Sequence, residues 1–175
     1  MARAFVGIGS NIDPAENVEK AIRLLSAAVQ VRAISTVYLT EAIGRPGQPS
    51  YYNCVVEIET ETMPAELKQR ELRRIEHDLG RVRGSDTHAA RKIDLDLILY
   101  GQLVMTAEGL TLPDPDIVRR PFLAVPLQEL APELMLPGSD LCIAAIAAAL
   151  PRDGMQPLQD YTERLRKGIL LERKQ

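Results

Sequence analysis

The stretch Ile93-Asp94-Leu95-Asp96-Leu97-Ile98-Leu99 constrains the fold more than any other. Apolar and acidic residues alternate with the two-residue period of a β-strand. The alternation places Ile93, Leu95, Leu97 and Leu99 on one face, and Asp94, Asp96 and Ile98 on the other. Acidic residues are depleted in strands, and two on one face require that face to stay wet or to hold a cation. The sheet containing this strand is therefore expected to bury one side under helices and leave the other open for a ligand.

Patterns elsewhere supply the remaining elements. Arg3–Gly9 reads as a short strand. Asp13-Pro14-Ala15-Glu16 opens a helix with Asp13 as its capping oxygen and Val18, Ala21, Ile22, Leu25 and Val29 as its apolar stripe. Val31–Glu41 is rich in β-branched residues and predicts one strand, followed by a loop over Ala42–Ser50. Tyr51–Thr60 predicts another, with Tyr52, Cys54, Val56 and Ile58 on one face and Asn53 and Val55 opposite. Pro64 starts a helix to about Gly80, with Leu67, Leu72, Ile75 and Leu79 inward and Arg73, Arg74, Glu76 and Asp78 outward. After the Arg81–Lys92 loop and the Ile93–Tyr100 strand, Gly101-Gln102 predicts a turn into a short hairpin partner. The order β-α-β-β-α-β is the ferredoxin-like pattern of an α+β protein: an antiparallel sheet, helices on one face, the ligand site on the other. Residues 1–150 are expected to form a single domain and 151–175 a C-terminal extension, whose Leu165, Ile169, Leu170 and Leu171 could pack on the domain or on a partner.

Composition removes several classes of function. With 21 basic and 24 acidic residues among 175, the formal charge of -3 does not suit a general coat for nucleic acid. Cys54 and Cys142 are far apart, in apolar runs, and fit buried thiols rather than a disulfide framework or a zinc cluster. Leu141–Leu150, between Ser139-Asp140 and Pro151, reads as a capped, buried helix too short to span a bilayer. The short Ala4–Gly9 run does not read as a signal peptide. The expected setting is the cytoplasm, with no membrane, nucleic-acid or obligate protein partner.

Asp94 and Asp96 lie roughly 6.6 Å apart along a strand and can converge on metal. Magnesium prefers oxygen ligands, keeps several waters and shares carboxylates with substrate phosphates. Arg81, Arg83, Arg91 and Lys92 crowd the preceding loop against Asp86, and Arg119-Arg120 follows later. Guanidinium forks suit phosphate oxygens, so cations beside paired acids point to a polyphosphate substrate. The competing motifs fail: Gly7-Ile8-Gly9-Ser10-Asn11-Ile12 lacks the third glycine of a dinucleotide fingerprint, no phosphate-binding G-x-x-x-x-G-K-[ST] occurs, and His77 and His88 are too few for zinc.

Gly7-Ile8-Gly9-Ser10-Asn11, Tyr38-Leu39-Thr40, Gln48-Pro49-Ser50-Tyr51-Tyr52-Asn53, Ile75-Glu76 with Gly80-Arg81-Val82-Arg83, Arg91-Lys92-Ile93-Asp94-Leu95-Asp96, and Arg120-Pro121-Phe122-Leu123 follow in fixed order. Together, over roughly residues 2–135, they closely resemble the 6-hydroxymethyl-7,8-dihydropterin pyrophosphokinase family of folate biosynthesis. The resemblance implies transfer of pyrophosphate from ATP to the pterin hydroxymethyl oxygen, with release of AMP. It implies that Asp94 and Asp96 hold two magnesium ions and, with Arg83 and Arg91, form the catalytic set. It assigns Glu76, Arg83, Arg91, Ile98, Thr111 and Arg120 to ATP, and Thr40, Ile43, Tyr51, Asn53 and Phe122 to the pterin. It also implies closure of the Arg81–Lys92 loop before transfer. The chain departs from the family pattern at Thr87 and His88, where Arg-Trp is common, at Asp114 in place of a His, at Gly109 in place of an Arg, and at Glu41 in place of a Pro. These departures leave open a second reading, a family member that binds pterin or nucleotide without efficient transfer.

Overall fold

A computed structural model describes residues 1–42, 47–81, 90–107 and 109–171. Ile43, Arg83, Thr87 and His88, and with them the loop closure expected between Arg81 and Lys92, lie outside the described residues.

Strand β1 (Ala2–Ser10) leads to helix α1 (Pro14–Ala28), then to β2 (Gln30–Ile34), β3 (Tyr38–Thr40) and β4 (Tyr51–Thr60). A helical segment follows, built from α2 (Pro64–Glu66), a π-helical stretch Leu67–Leu72 and α3 (Arg73–Asp78), before β5 (Asp94–Tyr100). The sheet order is β5-β1-β4-β3, with β2 also on β4, and every pairing is antiparallel. This is the ferredoxin-like arrangement expected of the pattern, in which each helix links strands that are not neighbours.

One face of the sheet is packed as expected. Val6 and Ile8 of β1, Cys54, Val56 and Ile58 of β4, and Leu95 and Leu97 of β5 meet Val18, Ile22 and Leu25 of α1 and Leu67, Leu72 and Ile75 of the second helical segment. Burial pushes the Cys54 thiol up to about 12, so it stays protonated and inert.

Several expectations are corrected. The strand expected over Val31–Glu41 is broken at Ser35–Val37, where donors and acceptors turn to side chains. Ser35 Oγ accepts the Val55 N–H at 2.9 Å, and the Val37 N–H donates to Thr162 Oγ1 at 2.9 Å. Asp13 makes no side-chain cap. The proline after it disfavours right-handed helical backbone, and Asp13 takes φ 43° and ψ 51° instead. The π-helical stretch shifts the helical register, bringing positions five apart onto one face and turning Glu76 inward, where it is only 2% exposed. A bulge in β5 opposes Phe5 to Leu99 and Val6 to Leu97, leaving Ile98 as the extra residue. Leu99 therefore joins Ile98 on the second face, with Phe5 and Val55.

The hairpin expected after Gly101 does not extend the main sheet. Met105–Ala107 (β6) pairs with Leu110–Leu112 (β7) in a separate ribbon. The outer edge of β5 is occupied otherwise: Glu76 Oε1 accepts the Leu95 N–H at 3.0 Å, and the Asp114 N–H donates to the Ile98 carbonyl at 2.8 Å.

The second face of the sheet is shared. A 3₁₀ turn Pro115–Val118, α4 (Pro121–Leu130) and α5 (Ile143–Ala149) cover one end of it and enclose a second apolar cluster. The other end stays open as a cleft. Helix α5 starts later than expected, after Cys142 and without a side-chain cap; Leu141 is 48% exposed and Cys142 half-buried. Beyond residue 150, β8 (Gln156–Pro157) pairs with β3, and α6 (Gln159–Arg166) runs into a π turn, Lys167–Leu171. Leu165 and Ile169 enter the main core, and Arg166 Nε donates to the Ile34 carbonyl at 2.8 Å. This segment thus packs on the domain itself. Among the described residues no helix is long and apolar enough to cross a membrane.

Candidate active site

Strand register builds the floor of the cleft. Gly9 lies between Asn53 on β4 and Asp94 on β5, and Gly7 between Val55 and Asp96. Paired residues on neighbouring strands share a face, so Asn53, Gly9 and Asp94 form one row across the sheet, and Asp96 begins the next. The glycines make the rows possible. A Cβ on Gly9 would lie 2.8 Å from Asn53 Oδ1, and one on Gly7 would lie 3.0 Å from Leu123 Cδ2. The resulting cleft holds about 330 Å³.

One end of the row is polar and apolar in turn. Asn53 Nδ2 donates to Thr40 Oγ1 at 2.7 Å, which fixes the amide orientation. Tyr51, one β4 position pair away, and Phe122, in the first turn of α4, line the same space. A planar heterocycle with an amide edge fits such a set: an oriented Asn for the edge and ring faces for its planes.

The other end is ionic. Asp94 is gripped on both oxygens: Arg81 Nη1 lies 2.8 Å from Oδ1, and Arg91 Nη1 bonds Oδ2. Arg81 Nη1 also donates to the Ile93 carbonyl at 2.7 Å, so its side chain is fixed to the backbone as well. Among the described residues Asp96 has no such guanidinium partner. Its carboxyl is pushed up to about 7, first by surrounding protein and then by Asp94, Asp114 and Glu76, against the pull of Lys68. The side chain nevertheless opens into the cleft, where solvent and ligands reach it. Asp114 is also raised by burial, though the Asp116 N–H donates to its Oδ1 at 2.8 Å.

These carboxylates fit a cation. Crowded acids that hold protons too tightly are relieved by a bound positive ion, and their oxygens are the donors that magnesium prefers. Among the described residues no three His, Cys, Asp or Glu side chains converge as a complete metal cage. A pair such as Asp94 and Asp96 would leave the remaining positions to water and substrate oxygens.

Thr40, Tyr51, Asn53, Arg91, Asp94, Asp96, Arg120 and Phe122 all border this one cleft. Glu76, Ile98 and Thr111 do not line it. Glu76 is buried against the edge strand β5, Ile98 is a residue of that strand buried in the second apolar cluster, and Thr111 sits exposed on β7 opposite Thr106. The cleft also includes Glu41, Gln48, Asp116 and Leu123, to which sequence reasoning gave no role. One signal for its floor was present: Gly7-x-Gly9 has the same spacing as Asp94-x-Asp96. Glu41 was marked only as a departure from the family pattern, and nothing marked Asp116.

Fold and cleft together define an α+β protein with an acid-and-guanidinium pocket on an antiparallel sheet. The family model of 7,8-dihydro-6-hydroxymethylpterin-pyrophosphokinase (HPPK) matches residues 5–132. A 2-amino-4-hydroxy-6-hydroxymethyldihydropteridine pyrophosphokinase of Haemophilus influenzae is 38% identical over 144 residues, 81% of this chain and 89% of that protein. One of Synechocystis sp. is 40% identical over 139 residues, 78% of this chain and 70% of the other. Crystal structures of Plasmodium falciparum HPPK-DHPS share the fold, for example with a TM-score of 0.64 at 12% identity over 95% of this chain. The chain spans 45% of the length of that solved chain. The chain belongs to the HPPK family.

Proposed function

We infer that the chain transfers pyrophosphate from ATP to the hydroxymethyl group of 6-hydroxymethyl-7,8-dihydropterin, releasing AMP, in folate biosynthesis. The observation that carries the reading is the row Asn53–Gly9–Asp94 with Asp96 beside it, which puts a heterocycle-orienting amide and the paired acids in one cleft. In this reading Thr40 holds Asn53 for the pterin edge, Tyr51 and Phe122 flank the ring, and Arg91 and Arg120 serve the triphosphate. Arg83, Ile43, Glu76, Ile98 and Thr111 keep the roles the family resemblance implies.

Asp94 and Asp96 are the proposed holders of two magnesium ions. Bound magnesium supplies charge neutralisation along the triphosphate. The chain's own contribution is preorganisation. Arg81 and Arg91 fix Asp94, and the cations stand ready for charge that develops on the transferred group. The strands hold the pterin hydroxyl and the phosphates in one reaction geometry. The reaction is placed in the cytoplasm, with small-molecule substrates and no macromolecular partner required. The relatives' shared name and the assembled cleft both support transfer, and neither favours binding without it.

Purified protein with ATP, magnesium and the pterin is expected to release AMP. No AMP above a no-enzyme control, with pterin and ATP still bound by calorimetry, would overturn this function.

A further inference from the structure

Asn11 follows directly on β1, is only 2% exposed and does not line the cleft. Its side chain nevertheless reaches both chain segments that border it. Asn11 Nδ2 donates to the Pro49 carbonyl at 3.2 Å, and Asn11 Oδ1 accepts the Arg91 N–H at 2.8 Å. Its own backbone N–H donates to the Arg91 carbonyl at 3.1 Å. Pro49 lies between Gln48 and Tyr51, both in the cleft wall, and the Arg91 guanidinium grips Asp94. One buried amide therefore ties the segment on the heterocycle side to the segment on the ionic side.

We propose that Asn11 is a positioning residue that sets both walls of the cleft at once. This rests on the function inferred above, since it assigns the Pro49 side to the pterin and the Arg91 side to the nucleotide. An amide is the side chain suited to the task, because it offers a donor to a carbonyl and an acceptor to an N–H in one plane. The two attachments differ in redundancy. Arg91 keeps the Asn11 backbone bond whatever the side chain, whereas the bond to Pro49 vanishes with the amide. Loss of the side chain should therefore weaken the pterin side more than the nucleotide side.

Asn11→Ala and Asn11→Asp test this. The aspartate keeps an acceptor for the Arg91 N–H but loses the donor to Pro49. Calorimetric affinities for the pterin and for a non-hydrolysable ATP analogue, steady-state KM values and thermal melting would be measured on both variants and the wild type. Pterin affinity is expected to fall on the order of tenfold in both variants. Affinity for the ATP analogue should stay within about threefold in Asn11→Asp. A folded Asn11→Ala with a lowered melting temperature but both affinities unchanged would overturn the proposal, leaving Asn11 a purely structural residue. Equal losses for both ligands in Asn11→Asp would overturn the division between the walls. A wild type that makes no AMP would instead break the inferred function, and the affinities would still judge Asn11.

Discussion

The two faces of the central sheet obey opposite rules. Toward α1 and α3, β1, β4 and β5 present Val6, Ile8, Cys54, Val56, Leu95 and Leu97, all buried against helix side chains. Toward the cleft the same strands present Gly7, Gly9, Asn53, Asp94 and Asp96. The first face fills space; the second leaves it open, with two glycines that carry no Cβ and a pair of acids of which, among the described residues, only Asp94 is gripped by guanidinium groups. The packed face is what lets the open one exist. Buried apolar area on one side holds the strands in register, so the glycines and carboxylates on the other can be arranged for a ligand instead of for stability.

The comparison breaks most visibly at Asp96. Asp96→Ala is expected to lower kcat by about 10²–10³ or more, as loss of a transition-state charge contact does. Its fold should not suffer, because the carboxyl it removes is one that burial and Asp94 already strain. AMP formation and the melting temperature of the metal-free protein check both parts. Full activity would refute the metal role, and unfolding would refute the independence of the two faces.

Leu25→Ala is the mirror experiment on the packed face. Leu25 is fully buried between α1 and the sheet, and truncation should cost about 2–5 kcal/mol of stability. Below its melting range the variant should keep both KM values. Denaturant unfolding and steady-state kinetics would show this, and a changed KM in the folded variant would mean that core packing tunes the site.

The packed face was the legible one. Period-two alternation in Ile93–Leu97 and Tyr52–Ile58, and the helical stripe Val18–Leu25, assign most of it from the sequence, because burial there depends on local order alone. What escaped depends on partners distant in the chain. The break at Ser35–Val37 needs Val55 and Thr162 to receive its polar groups. The inward turn of Glu76 needs the free N–H of Leu95 on an edge strand. The bulge that carries Leu99 to the second face appears only once β5 is laid against β1. The resemblance carried by the ordered motifs assigned eight cleft residues, yet Asp116, outside every motif, arrives by way of a 3₁₀ turn.

A finer probe of the open face is Gly9→Ala. The added Cβ would stand 2.8 Å from Asn53 Oδ1, so the amide must leave its bond to Thr40 or move off the floor. The KM for the pterin is expected to rise on the order of tenfold, with the KM for ATP nearly unchanged. Should both rise together, the heterocycle and ionic ends are not separate halves of the cleft.

The smallest expected effect concerns pH in the metal-free protein. The Asp96 carboxyl binds its proton more tightly when folded than when unfolded, so over that span the native state carries more protons. Stability then falls as pH rises from the ordinary carboxylate range toward about 7 and levels off above it, the reverse of a salt-bridged aspartate. Asp114 is shifted in the same direction and adds to the slope. The slope is shallow, since Asp96 opens to solvent that screens its neighbours. Melting temperatures between pH 5 and 8 without magnesium should decline for the wild type and decline less for Asp96→Asn. Adding magnesium should raise the wild-type melting temperature more at pH 8 than at pH 5, because a cation competes with the proton for the same oxygens. An equal rise at both values would place magnesium elsewhere than on the acids of the open face.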